Sequence, residues 1–143
     1  MYTIEEFDEK KSKVLKYVLY KKRTKQEIKN KFYNVIDEEI LNDIIEELEE
    51  NGYIDDGNYI DRAVNEFKVL KNLSIKEIKY KLQSKGISNN LIDEYISNNK
   101  ETLVEYEYES ARKIAIKKSS IMEKDEILIF LLKKGYMKES INI

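Results

Sequence analysis

Apolar residues fall in stripes at helical spacing along most of this chain. The clearest is in "DEEILNDIIEELEENGY", where Ile40, Leu41, Ile44, Ile45 and Leu48 line one face and acids fill the others. A preceding stripe is formed by Val14, Leu15, Val18 and Leu19, and related ones by Ala63, Val64 and Phe67 and by Ala111, Ile114 and Ala115. Helix starts are marked by Thr24 and Ser74, each three residues before a Glu (Glu27 and Glu77), the pattern of a capping box. Asp37 and Ser88 are placed to cap the following helices, with Ile36 stapling onto Leu41 and Ile87 onto Ile92. Helix ends are marked by Gly52, Gly86 and Gly135, where a left-handed residue would turn Tyr53 back on Leu48, Ile87 on Leu82 and Tyr136 on Leu131.

These signals repeat at about 50 residues, long enough for a few helices each time. "TKQEIKNKF" from Thr24 aligns with "SIKEIKYKL" from Ser74, and "EILIFLLKKGY" from Glu126 follows "EIKYKLQSKGI" from Glu77 more weakly. The expected fold is all-α, an elongated, curved tandem array of three three-helix modules resembling helix-turn-helix repeats. Module boundaries fall at 1–57, 58–99 and 100–143, and the last helix, from Met137, is expected to be short. Each unit is too small to bury much surface alone, so packing between neighbours contributes.

Composition narrows the chemistry. The 143 residues include no His and no Cys, which removes disulfides, Cys/His zinc sites, thiol nucleophiles and His-based triads. The four glycines are too scattered for a phosphate-cradling loop. No apolar run approaches the length needed to cross a bilayer, and "MYTIEEFDEKK" has no signal-like core. A cytoplasmic monomer without cofactor, metal or catalytic residues is expected. Net charge is −2 but uneven: residues 1–57 hold 10 bases and 15 acids, net −5, and residues 58–143 hold 16 bases and 13 acids, net +3.

The pair Asp55-Asp56 in "ENGYIDDGNYID" poses the one question of catalysis. Adjacent carboxylates at a helix start are common caps, and no third acid, base or ligand is evident nearby. The expected reading is structural: Gly52 ends a helix, Tyr53 and Ile54 plug the seam between modules, and Asp55 or Asp56 caps the helix carrying Ala63 and Phe67.

"GYIDDGNYIDRAV", with Gly52, Tyr53, Ile54, Asp55, Asp56 and Tyr59, resembles the signature of the RecX family, bacterial regulators of the recombinase RecA. So does "LSIKEIKYKLQSKGI" in the second module, and "SARKIAIKK" in the third also fits. The resemblance runs from about Lys13 onward. It implies a non-enzymatic modulator of RecA that lies in the groove of the filament on single-stranded DNA and inhibits strand exchange and the coupled ATPase, in homologous recombination, DNA repair and the SOS response. The segment before the first module is short and the third module ends early, so contacts made through the family's ends are not carried over.

The expected contact surface is the basic face of the second module. On a helical wheel Ile75, Ile78 and Leu82 point inward while Lys76, Lys79, Tyr80 and Gln83 gather opposite, with Lys68, Lys71, Lys81 and Lys85 nearby. A solvated lysine face is the plainer alternative. Two other functions compete. A sequence-specific DNA-binding protein would put "DEEILNDIIEELEEN" or "SNNLIDEYISNN" into the major groove, where their acids would be repelled. Weak, salt-sensitive, sequence-indifferent DNA contact by the lysines stays open. A helical adaptor is the third reading.

Overall fold

A computed structural model of the chain describes residues 1–141. Among them there are no strands. Eight α-helices follow in order: α1 (Ile4–Tyr20), α2 (Lys25–Phe32), α3 (Glu38–Glu50), α4 (Asp56–Leu70), α5 (Ile75–Ser84), α6 (Asn89–Asn98), α7 (Lys100–Lys118) and α8 (Lys124–Lys134). A 3-10 turn, Lys138–Ser140, comes next, and any continuation of the helix expected from Met137 lies outside the described residues.

The chain forms two compact units. The first takes Met1–Tyr59 and the short segment Lys85–Ile87; the second takes Ile60–Ser84 and the described residues from Ser88 onward. In the first, α1 packs on α2 and α3. The stripe read from the sequence in α3 is wholly buried, and Ile28, Phe32, Ile36 and Ile54 join it around Val14 and Val18. Leu19 does not: it is 65% exposed, because the inward face of α1 is set by Val14 and Val18 one turn apart and Leu19 falls beside it. The helix also begins earlier than the apolar stripe suggests. Thr3 caps it by accepting from Glu6 N–H at 3.1 Å, and Tyr2, stacked on Phe7, donates its hydroxyl to Asp43 of α3.

In the second unit α5, α6 and α7 pack on one another and α8 packs on α7. Ala111, Ala115, Ile127, Leu131 and Tyr136 form the core at its C-terminal part, with Ile114 against them.

The local devices form as the spacing indicates. Thr24 and Glu27 exchange bonds of 3.1 and 3.0 Å, and Ser74 and Glu77 bonds of 3.1 and 2.9 Å. Asp37 accepts from Glu39 N–H and Ser88 from Leu91 N–H. At Gly52, φ is +83°, and the Tyr53 N–H returns to the Leu48 carbonyl at 2.8 Å. The Tyr53 side chain is 43% exposed, so Ile54, 1% exposed, fills the core alone; the turn reverses the backbone and leaves the ring outside.

Candidate functional site

Asp55 and Asp56 of "ENGYIDDGNYID" have separate structural duties. Asp55 caps α4, its Oδ1 accepting from Asn58 N–H at 3.0 Å. Asp56 is buried and reaches across to α2, where its Oδ1 accepts the Lys25 N–H at 3.1 Å. That N–H is one of the four unpaired donors at the start of a helix. Burial raises the Asp56 pKa, while the Lys25 N–H and its ammonium act in the opposite direction. With each carboxylate satisfied by a helix start, the pair is no acid-base couple.

The same construction occurs twice. In the first unit the capping hydroxyl of Thr24 donates to the Lys85 carbonyl at 2.7 Å, the Lys85 ammonium stands 4.0 Å from the capping-box Glu27, and Gly86 follows. In the second, Ser74 Oγ donates to the Lys134 carbonyl at 2.9 Å, the Lys134 ammonium is 3.2 Å from Glu77, and Gly135 follows. Glu107 takes the part of Asp56: its Oε2 accepts the Ile75 N–H at 2.7 Å. Glu107 does more, since Oε1 accepts the Met137 N–H at 2.8 Å, and the residue is fully buried. Both glycines adopt positive φ, +82° at Gly86 and +98° at Gly135. A Cβ at Gly86 would stand 2.2 Å from Gln26 Cβ, and one at Gly135 would stand 2.9 Å from Lys76 Cδ. Each helix start is thus closed by a Lys-Gly turn on one side and a carboxylate on the other.

A buried polar cluster adjoins the second junction. Tyr106 donates to the Leu73 carbonyl at 2.8 Å, and Ser110 Oγ and Tyr136 OH share a hydrogen bond of 2.6 Å. Burial is the main cause that raises the pKa of both phenols above its ordinary value.

The lysine face divides into groups with different surroundings. Lys79 pairs with Asp93 of α6 at 2.8 Å, and Gln83 donates to Asn89 at 2.7 Å, so both serve the α5–α6 contact. Lys85 belongs to the first junction. Lys68 is half-buried in the last turn of α4. Lys71 follows that helix with φ +50°, a left-handed conformation unusual for a side chain with Cβ, and its ammonium is 3.2 Å from Glu109. Lys113 caps the same helix end by donating to the Leu70 carbonyl at 2.8 Å. Relief of the left-handed strain outweighs an ion pair that is half exposed, so Lys71→Gly is expected to raise stability by about 0.5 kcal/mol in urea unfolding.

Lys76, Tyr80 and Lys81 remain together. With Glu77, Ser84, Lys133 and Lys134 they line an open hollow of about 500 Å³ between α5 and the end of α8. Lys133 and Lys134 were not singled out from the sequence as contact residues, although the Lys-Gly pair at 134 and 135 repeats that at 85 and 86. Among the described residues no group of three or more His, Cys, Asp or Glu is placed to hold a metal ion. Nor is any helix long and apolar enough to cross a membrane.

One junction built twice from matched residues defines an all-α protein of repeated helical units, with its buried carboxylates committed to helix starts. Comparison with known proteins gives the class a name. The chain is 31% identical over 127 residues to "Regulatory protein RecX" of Leuconostoc citreum, covering 88% of this chain and 41% of the relative. It is 30% identical over 136 residues to "Regulatory protein RecX" of Clostridium acetobutylicum, covering 88% of this chain and 62% of the relative. The crystal structure of RecX from Lactobacillus salivarius superposes with a TM-score of 0.80 at 26% identity, over 96% of this chain and 93% of that one. No family model matches. Over most of its length the chain is homologous to proteins named Regulatory protein RecX. It spans between about two fifths and two thirds of the length of the curated relatives it matches.

Proposed function

We propose that this protein is a non-enzymatic regulator of RecA, binding the recombinase filament on single-stranded DNA and restraining strand exchange and the coupled ATP hydrolysis. Its place would be in homologous recombination, repair and the SOS response. The observation that carries this reading is the similarity to RecX proteins over nearly the whole chain, in sequence and in fold. In this reading the chain is three three-helix modules, α1–α3, α4–α6 and α7 onward, with boundaries near residues 57 and 99, and it works as a monomer. The repeated Lys-Gly junction suits such a role, because it fixes the start of one helix against the turn that ends another and so preserves a set spacing of side chains. An operator-binding role is disfavoured by α3, whose first turn and outer face are acidic.

Co-sedimentation with RecA filaments assembled on single-stranded DNA tests the reading. The protein is expected to pellet saturably with filaments and to stay in solution with RecA alone. Absence from the pellet at large excess over filament would sink it.

A further inference from the structure

A groove between α7 and the start of α8 repeats the one that α3 fills in the first unit. There α3 packs on α1 and α2, with Leu48 buried in one cluster with Val14 and Ile28. Acids on either side of Leu48 close ion pairs, Glu47 with Lys11 of α1 at 2.8 Å and Glu49 with Lys25 of α2 at 2.6 Å. The α7–α8 pair reproduces the receiving side. Arg112 stands three residues before the buried Ala115, as Lys11 stands before Val14, and Lys124 and Ile127 are the first and fourth residues of α8, as Lys25 and Ile28 are of α2. These four and Ile116 line one hollow of about 570 Å³. What covers them differs. Counted from Tyr136 and Ile36, the turn Lys138–Ser140 corresponds to Glu38–Ile40 at the start of α3, and Ile141 packs against the core containing Ala115 and Ile127 as Leu41 does against its own. The stretch 42–50, which carries Leu48 and both acids, has no counterpart among the described residues. Arg112 and Lys124 accordingly make no ion pair or side-chain hydrogen bond there, and Ile116 is 66% exposed. The one acid of the lining, Glu123, belongs to the capping box that starts α8.

We infer that this hollow docks an acidic amphipathic helix presented by a partner protein, with an apolar side chain on Ile116 and Ile127 and two flanking carboxylates on Arg112 and Lys124. The mode is that of a helix laid in a groove, read by its apolar anchors. Charge selects the partner's chemistry, because the free cations hold the positions from which Lys11 and Lys25 reach Glu47 and Glu49. The fork of Arg112 suits a carboxylate in fixed register. A second copy of this chain does not supply the helix from its folded state, since the apolar face of α3 is buried within its own unit. The inference goes beyond the RecA reading and requires only residues of the second unit, so either can fail alone.

The test is an NMR titration of the isotope-labelled full chain, without RecA, with a synthetic peptide of residues 42–51 of this sequence. So short a helix is marginal alone, so it is held by a lactam from Glu46 to the amine introduced by Glu50→Lys, two positions that are exposed in α3. The amide signals of Arg112, Ile116 and Lys124 are expected to shift saturably while those of α1, α2 and α3 stay in place. Arg112→Glu with Lys124→Glu should weaken binding about tenfold, as two ion pairs turn to repulsion. A peptide carrying Glu47→Lys and Glu49→Lys should bind that variant about as strongly as the original pair. Ile116→Asp, at an exposed position, should also weaken binding with the helical circular-dichroism signal intact. The inference is overturned by absence of shifts at millimolar peptide, by shifts centred in the first unit, or by charge reversal that neither weakens binding nor is rescued. It is also overturned if sedimentation velocity shows a dimer of the chain that Ile116→Asp dissociates, which would make the cover a second copy.

Discussion

Glu107→Gln is expected to destabilise the protein by about 3 kcal/mol, while Asp56→Asn, the same chemical change at the matching position, is expected to cost less than about 1 kcal/mol. Glu107 has no solvent exposure, and each of its oxygens accepts one backbone N–H, from Ile75 at 2.7 Å and from Met137 at 2.8 Å. A glutamine supplies a single acceptor, so its NH₂ would confront one of those N–H groups and leave it unpaired in the interior. Removing the carboxylate altogether, as in Glu107→Ala, abandons both donors and should cost about 3–5 kcal/mol. Asp56 uses only Oδ1, toward Lys25 N–H, and an asparagine oxygen can accept that bond.

The charge works in the same direction. Burial holds the Asp56 pKa above its ordinary value of 3.8. Between the unfolded and the raised folded pKa the folded state therefore binds more protons than the unfolded chain. The contribution of this group is fully present below the unfolded pKa and is lost as pH rises through the folded one. Asp56→Asn should remove that acid-side dependence. Urea unfolding at several pH values, followed by circular dichroism, measures both effects; equal losses at the two positions would mean that Glu107 does not bridge two donors.

Gly86→Ala is expected to cost about 3 kcal/mol and to lower Tm by about 10 °C, against about 1 kcal/mol for Gly52→Ala. The two positions have nearly the same left-handed φ, +82° and +83°, so the conformational penalty is common to both. What differs is space. Nothing lies within 4 Å of a Cβ at Gly52, whereas at Gly86 it would meet Gln26 Cβ at 2.2 Å and Cγ at 2.5 Å. Because Gln26 Cβ sits on the α2 backbone, relief requires the turn to retreat from α2 and stretches the bond from Thr24 to Lys85. Gln26→Gly in the Gly86→Ala background should recover part of the loss despite its own helix cost. A calorimetric comparison of the two alanine variants checks this, and equal Tm losses would mean that the turn does not approach α2 closely.

The contrast between these residues also explains what the sequence could reveal. Capping boxes at Thr24 and Ser74, and helix-ending turns at Gly52 and Gly135, link residues at most five apart, so spacing alone discloses them. The bonds from Lys25 to Asp56 and from Ile75 to Glu107 span 31 and 32 residues and depend on how helices meet. Glu107 looks like any acid in "LVEYEYES", and only the matched separation, once the repeat register is known, marks it as the counterpart of Asp56. Leu19 and Tyr53 show the reverse limit: both are apolar, yet Leu19 falls beside the face set by Val14 and Val18, and the turn at Gly52 leaves the Tyr53 ring outside. The lysine wheel located Lys76 and Tyr80 together but could not show that Lys79 turns to Asp93, nor that α8 brings Lys133 alongside.

The proposed role is decided by single-stranded-DNA-dependent ATP hydrolysis by RecA from the same organism, with this protein titrated in. In the proposed role, hydrolysis is lost at protein well below the RecA concentration. Hydrolysis that stays constant up to large excess would contradict it.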